Sequence, residues 1–320
     1  MSGADFDVVA LGELVIDLVP VAGADGRPAL APKPGGAPGN VAVGVSRLGG
    51  RAAMLSKVGE DAFGRLLIET LAADGVDAGG VLTTREGNTS LAVVTVDPAG
   101  ERDFLLYRRG CAESTYAPEE VGAETIARCR ILHVGSLLLG EPLCGAAQRR
   151  AVRLARDAGA LVSADVNLRP SLWPSAEAMR RVALEAAESA DIFKASEEEL
   201  ALMAETADLD EALAFLDRPG RRLTAVTFGP AGALLAAGRV RARVPGCAVR
   251  VADTVGCGDA FTASLLADIA GGRADLASVE GLERLGRRAC AAGALAAMTA
   301  GAMDALPTAA ERDAFLASRT

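Results

Sequence analysis

Short apolar runs at residues 8–11, 53–58, 131–134, 161–166, 192–193 and 225–228 alternate with longer amphipathic stretches. The runs are mostly continuous rather than alternating, which suits strands covered on both faces. Between them, residues 63–73, 144–158, 176–190 and 260–270 carry helical spacing. Strands alternating with helices of this length predict right-handed βαβ units and a mainly parallel sheet. Two stretches break the pattern. Residues 12–34 are rich in Gly and Pro after a strand-like piece at 14–20, and residues 90–108 read as two alternating strands around a turn at Asp97-Pro98-Ala99-Gly100. No helix follows that hairpin, so it falls outside the α/β layer. A small β-lid over the carboxyl ends of the parallel strands, where ligands bind in open α/β sheets, is the expected place for it. No repeat or linker divides the 320 residues, so a single domain is expected, with lid segments at about 12–34 and 88–110.

Composition narrows the function. Half the residues are hydrophobic, ample for a large core, yet no run of 18 apolar residues predicts a membrane span. The opening MSGADFD has neither a basic nor an apolar signal region, so no secretory leader is expected. A net charge of −9 argues against a nucleic-acid partner, which calls for a basic face. The cysteines (Cys111, Cys129, Cys144, Cys247, Cys257 and Cys290) form no CxxC pair and read as reduced thiols of a cytoplasmic protein. The single histidine, His133, lies in an apolar strand-like run. This speaks against a His-based nucleophilic mechanism and excludes a His-rich metal site.

Two glycine motifs carry the chemistry. Asp253-Thr254-Val255-Gly256-Cys257-Gly258-Asp259 follows a strand-like run at 247–251 and opens a helical pattern. Gly256 and Gly258 let backbone approach a ligand, and N–H groups at a helix N-terminus bind anions. An ordinary capped glycine turn is the structural alternative. A dinucleotide fingerprint requires Gly where Phe261 stands, and Asp259 would repel a pyrophosphate. An acid beside an anion hole can instead take a proton from a hydroxyl while the amides of Gly256, Cys257 and Gly258 stabilise a transferring phosphoryl group. Walker and protein-kinase signatures are absent. The second motif, Pro34-Gly35-Gly36-Ala37-Pro38-Gly39-Asn40, precedes a helical stretch at 41–48. Gly35 and Gly36 leave room for a polyol, and Asn40 is either its hydrogen-bonding partner or the N-cap of the helix. Asp17 follows the first strand and can accept two sugar hydroxyls, or face solvent.

Together these motifs resemble the two signatures of the PfkB, or ribokinase-like, sugar kinases, and the resemblance spans nearly the whole chain. The first continues through Val58-Gly59-Glu60-Asp61-Ala62-Phe63-Gly64; the second departs from DTxGAGD only by Cys257 in place of Ala, a small change since free Cys packs as a small hydrophobe. The resemblance implies a Rossmann-like α/β core with a β-lid, and ATP-dependent phosphorylation of a sugar with Asp259 as catalytic base. Lys194-Ala195-Ser196-Glu197-Glu198-Glu199 resembles the family's NxxE motif. It implies Lys194 near the nucleotide and Glu199 on Mg²⁺ through water, although acidic residues also suit the first turn of a helix. Thr227-Phe228-Gly229-Pro230-Ala231-Gly232 resembles the nucleotide loop, with Thr227, Gly229 and Gly232 approached by ATP; a plain turn is the alternative. Asp253 and the Val255 carbonyl match part of a monovalent-cation site, so K⁺ is an expected further ion.

For the substrate, residues 35–49 look most like fructokinases, as does Phe104-Leu105-Leu106-Tyr107-Arg108. Asp165-Val166-Asn167-Leu168-Arg169-Pro170 is similar to a motif shared by fructokinases and 2-keto-3-deoxygluconate kinases. Arg108 and Arg169 can bond sugar oxygens; Arg169 can equally pair with a carboxylate through a bidentate fork. Arg109-Gly110-Cys111-Ala112-Glu113 departs from the fructokinase pattern. The expected activity is fructose phosphorylation, with other ribokinase-family substrates next. The rivals from other classes are a nucleotide-dependent oxidoreductase and a non-catalytic sugar-binding regulator. An exposed lid edge favours pairing with another lid, hence a homodimer.

Overall fold

A computed structural model describes residues 4–22, 27–96, 102–216 and 219–319. The strands are β1 (Phe6–Leu11), β2 (Val15–Ala22), β3 (Pro28–Gly35), β4 (Ala52–Gly59), β5 (Asp77–Thr84), β6 (Ser90–Val96), β7 (Arg102–Tyr107), β8 (Cys129–Val134), β9 (Leu161–Asp165), β10 (Ile192–Ser196), β11 (Leu223–Thr227), β12 (Ala233–Ala237) and β13 (Val240–Val244). Among the described residues they form two sheets. The larger runs β13-β12-β11-β10-β9-β8-β1-β4-β5, parallel from β11 to β5 with two antiparallel strands at the other edge. The smaller runs β3-β2-β6-β7. It gathers the two stretches that broke the α/β pattern. The turn expected at Asp97-Pro98-Ala99-Gly100 lies outside the described residues.

Helices cover both faces of the large sheet. One layer holds α1 (Ala37–Arg47), α2 (Ala62–Ala73), α8 (Cys257–Ala270), α9 (Val279–Ala296) and α10 (Ala309–Ala317). The other holds α3 (Ala123–Ala127), α4 (Pro142–Asp157), α5 (Ala176–Ser189), α6 (Glu197–Ala204) and α7 (Leu209–Leu216). Strand side chains divide between the layers by period two. Val8 and Ala10 pack with the first cluster, Val9 and Leu11 with the second. This two-sided burial is why the strands read as continuous apolar runs. In α2, Leu67 and Leu71 sit one turn apart and fully buried, each contributing about 2 kcal/mol of burial. His133 is buried on β8 against Ser163 Oγ, and burial, with Lys194 nearby, holds its imidazole down to about 3. It is a neutral core residue.

Two local expectations are corrected, and one strand is added. Residues 247–251 form no strand: the ladder stops at Val244, Pro245 cannot donate to it, and Gly246 is pressed against the Pro230 carbonyl. The helix expected from residue 41 begins at Ala37, with Gly36 as N-cap at φ 102° and Pro38 in the first turn. Asn40 is therefore inside the helix and is not its cap. The edge strand β5 is not evident in the sequence, because Gly79 and Gly80 and its mixed burial hide its pattern.

The smaller sheet is fastened to the core at its rim. Lys33 Nζ on β3 donates to Asp304 Oδ2 at 2.6 Å, both side chains being nearly half exposed. Arg47 Nη1 donates to the carbonyls of Met303 and Leu306, which holds the same turn against α1.

Candidate active site

The parallel strands end at an open cleft. Glu13 follows β1, Gly135 and Ser136 follow β8, Asn167 and Arg169 follow β9, and Gly256 and Asp259 open α8. The smaller sheet closes the cleft with Val15, Asp17, Ala92 and Leu106. It is the lid, placed over the strand ends as the topology requires.

Asp259 lies in the first turn of α8, whose N-cap Gly256 adopts the left-handed φ of 80°. A Cβ there would also sit 3.2 Å from the Ala302 backbone. A helix N-terminus presents unpaired amides and a positive dipole end. The Cys257 amide already donates to the Thr254 carbonyl at 3.3 Å, which leaves Gly258 and Asp259 as the more open donors. Asp259 is nearly buried and accepts from Asn40 Nδ2 at 2.7 Å. Burial pushes its carboxyl up to about 6; Asn40 opposes the rise, Asp165 adds to it, and Lys194 and Arg169 oppose it. An aspartate of this affinity ionises near neutrality and can take a proton.

Beneath the turn lies Lys194 of β10. Its Nζ stands 3.0 Å from Asp165 Oδ2 and donates to Oδ1 at 3.1 Å, while Thr262 Oγ1 donates to Oδ2. A Cβ on Gly258 would come within 3.2 Å of that Nζ. Gly258 thus makes room for the ammonium as well as for a ligand. Burial alone lowers the Lys194 pKa, but Asp165, Glu199 and Asp259 outweigh it and hold it above the usual lysine value. A positive charge sits under the turn that opens α8.

Asp17 of β2 is pushed up to about 6 by burial and by repulsion from Asp259, with Arg169 opposing. Gly35 is required beside it, since a Cβ would meet Asp17 Oδ2 at 2.7 Å. Gly36 would drive a Cβ to 2.5 Å from the Glu13 carbonyl. Arg169 lines the cleft and donates from Nη1 to the Leu168 carbonyl. Arg108 does not line the cleft wall. It turns toward Glu113, with Nε 3.5 Å from Oε1.

The residues expected on the nucleotide side lie along the neighbouring strand ends. Ser196 caps α6 and Glu199 closes a capping box. Glu199 Oε2 accepts from the Ser196 amide at 2.7 Å and Oε1 from the Leu168 amide at 2.6 Å. Thr227 is paired with Ser196 in the ladder, and Gly229 and Gly232 follow it at φ 53° and 103°. The Gly232 approach is filled by the chain itself, since a Cβ would meet the Val244 carbonyl at 2.0 Å. Asp253 is buried; its Oδ1 accepts from the Val255 amide at 3.2 Å and Oδ2 from the Gly301 amide at 3.0 Å. The Cys257 thiol is pushed up to about 11, first by burial, so it is no nucleophile. Among the described residues, no three His, Cys, Asp or Glu side chains converge to hold a metal.

Sequence reasoning missed Glu13, and missed Asp165 and Thr262 as partners of Lys194. The available signal was position: Glu13 and Asp165 are acids at the carboxyl ends of parallel strands, where ligands bind. Asn167, a non-glycine residue at φ 40°, also lines the cleft.

Residues 5–309 match the model of the pfkB family carbohydrate kinases. Fructokinase-1 of Oryza sativa subsp. japonica is 42% identical, over 96% of this chain and 97% of its own length. The ATP-bound fructokinase of Xylella fastidiosa superposes with a TM-score of 0.88 at 30% identity, over 98% of this chain and 99% of that one. A fructokinase of Vibrio cholerae with fructose, ADP and calcium bound has a TM-score of 0.83 at 32% identity, over 97% and 98%. An acid at a helix N-terminus, facing a lidded cleft, is thus found in a chain whose likeness to these proteins runs end to end. The chain belongs to the pfkB family of carbohydrate kinases and is an ATP-dependent sugar kinase.

Proposed function

We propose that the sugar is D-fructose and that Asp259 is the catalytic base. The carrying observation is the Asp259 carboxylate itself, buried at the α8 N-terminus, raised to about 6 and facing the cleft. Asp259 takes the proton of the attacking hydroxyl. Asn40 holds its carboxylate in place, and Asp17 accepts further sugar hydroxyls. The amides of Gly258 and Asp259, with Lys194 behind them, stabilise charge on the transferring phosphoryl group. Thr227 and Gly229 lie where the nucleotide would extend along the strand ends. The named relatives support fructose, ATP and a divalent ion as ligands.

Mg²⁺ bound with ATP supplies charge neutralisation at the phosphates. Glu199 fits it through water, since backbone amides already occupy both of its carboxylate oxygens. For K⁺ the candidates are Asp253 and the Val255 carbonyl, and faster turnover in potassium than in choline salts would support them. A cytoplasmic location is part of the proposal; all six cysteines are free, and no described helix is long and apolar enough to cross a membrane.

The test is ADP release with ATP and Mg²⁺ across fructose, 2-keto-3-deoxygluconate, ribose and adenosine. A far higher kcat/KM for fructose establishes the assignment. Preference for the acidic sugar would replace fructose and make Arg169 its carboxylate partner.

A further inference from the structure

We infer that Glu13 is a specificity-determining residue of the sugar site, its carboxylate accepting a hydrogen bond from a sugar hydroxyl other than the one phosphorylated. The inference rests on the sugar-kinase reading and deepens it.

Glu13 lines the cleft and is 7% exposed. Its Oε2 is buried and has no hydrogen-bond partner among the described residues. A buried acceptor left unpaired is destabilising, and a ligand donor recovers that loss. The ligand must bring that donor. Burial raises the Glu13 carboxyl to about 7; Arg108 opposes the rise, and Glu113 and Asp259 add to it. Arg108 stands outside the cleft wall, turned toward Glu113. Its Nε and Nη2 are buried without hydrogen-bond partners, and its 3.5 Å approach to Glu113 is too long for a good bond. Glu113 Oε1 is already taken by Ser90 Oγ at 2.5 Å.

The cleft wall therefore offers an unused acceptor at Glu13. A hydroxyl donates, so it can satisfy that acceptor. A carboxylate or a ketone only accepts, leaving Oε2 unpaired. The carboxylate of a sugar acid would also enter a cleft lined by three acids, Glu13, Asp17 and Asp259, against one cation, Arg169. A hydroxyl has one proton. The hydroxyl that yields its proton to Asp259 has none for Glu13, so Glu13 reads a different position. The subsite selects neutral polyhydroxy sugars over sugar acids.

The test measures kcat/KM for fructose, its monodeoxy analogues and 2-keto-3-deoxygluconate with wild type, Glu13→Ala and Glu13→Gln. In wild type, one deoxy analogue loses about 10²-fold, because the site's polar group is left unpaired. In Glu13→Ala that penalty collapses to within about threefold while the penalties at other positions persist. In Glu13→Gln, isosteric should the alanine variant fail to fold, it shrinks about tenfold as a charge-assisted bond becomes a neutral one. Both variants narrow the gap between fructose and the sugar acid, and the KM for ATP stays unchanged. Deoxy penalties identical in wild type and both variants overturn the inference, as does a wild type that prefers the sugar acid. A wild type that phosphorylates no sugar defeats the kinase reading itself, and the wild-type arm alone reveals it.

Discussion

Asn40 Nδ2 donates to Asp259 Oδ2 at 2.7 Å, across 219 positions of the chain. This bond joins the two glycine motifs at one carboxylate. It also commits one side of the Asn40 amide and leaves Oδ1 buried and unpartnered at the cleft. The residue that holds the Asp259 carboxylate thus retains an acceptor of its own.

Replacing Asp259 by Asn keeps the shape of this pair and removes the proton acceptor. The kcat of Asp259→Asn is expected to fall by about 10²–10⁴ with the sugar KM nearly unchanged. Steady-state kinetics at saturating ATP checks this; an undiminished kcat assigns the proton to another group.

Activity and stability should move in opposite directions with pH. The carboxyls of Asp17 and Asp259 are raised to about 6 and that of Glu13 to about 7, in each case first by burial. Protonation disables the base, so kcat/KM falls as pH drops from 7 to 5. A carboxyl raised on folding favours the folded state below its unfolded pKa and loses that contribution as pH rises through the folded value. Thermal unfolding of the free enzyme should therefore show a gain from these groups between pH 7.5 and 5. Carboxyls held low, such as Asp61 and Glu120, act below that window. Asp259→Asn should flatten the profile and be more stable than wild type at pH 7.5, by on the order of 2 kcal/mol. A wild-type midpoint that falls steadily from pH 7.5 to 5 contradicts this account.

Lys194→Met leaves Asp165 buried without its cation, a loss of about 3–5 kcal/mol. Adding Asp165→Asn should restore most of that stability and none of the activity, because the positive charge under Gly258 remains missing. Denaturant unfolding and the KM for ATP separate the two effects. A double variant with wild-type kcat would assign the ion pair to the fold alone.

On the lid, Leu105 and Tyr107 of β7 are 55% and 57% exposed, and Val21 and Leu30 are also exposed. Exposed apolar side chains on a small sheet favour burial against a second copy. A homodimer through the lid is expected in sedimentation at micromolar concentration, and Leu105→Asp with Tyr107→Asp should yield monomers. A monomeric wild type would reject it.

The core was legible because period and burial agree. Runs such as Ile131 to Val134 are apolar on both faces and sit where the sheet is covered on both. Edges were less legible. In β5 the glycines hide the alternation, and residues 247–251 alternate without any ladder to join. In the site, Asp259 and Asn40 stand inside motifs whose glycines mark close backbone approach, so the sequence points to them. Glu13 carries no such mark. Its significance depends on one oxygen left without a partner, a fact of three-dimensional packing that no spacing encodes. Glu199 shows the converse, because its capping role and its expected metal role call for the same residue at the same place.

The pair Lys33–Asp304 is the lid's catch on the rim of the core. Any outward swing of the lid must break it. An ion pair this exposed is worth under about 1 kcal/mol and is weakened by salt. A tie of that size slows opening by less than about fivefold. So weak a tie does not by itself keep the lid closed, and it slows the departure of the phosphorylated sugar by a few-fold at most.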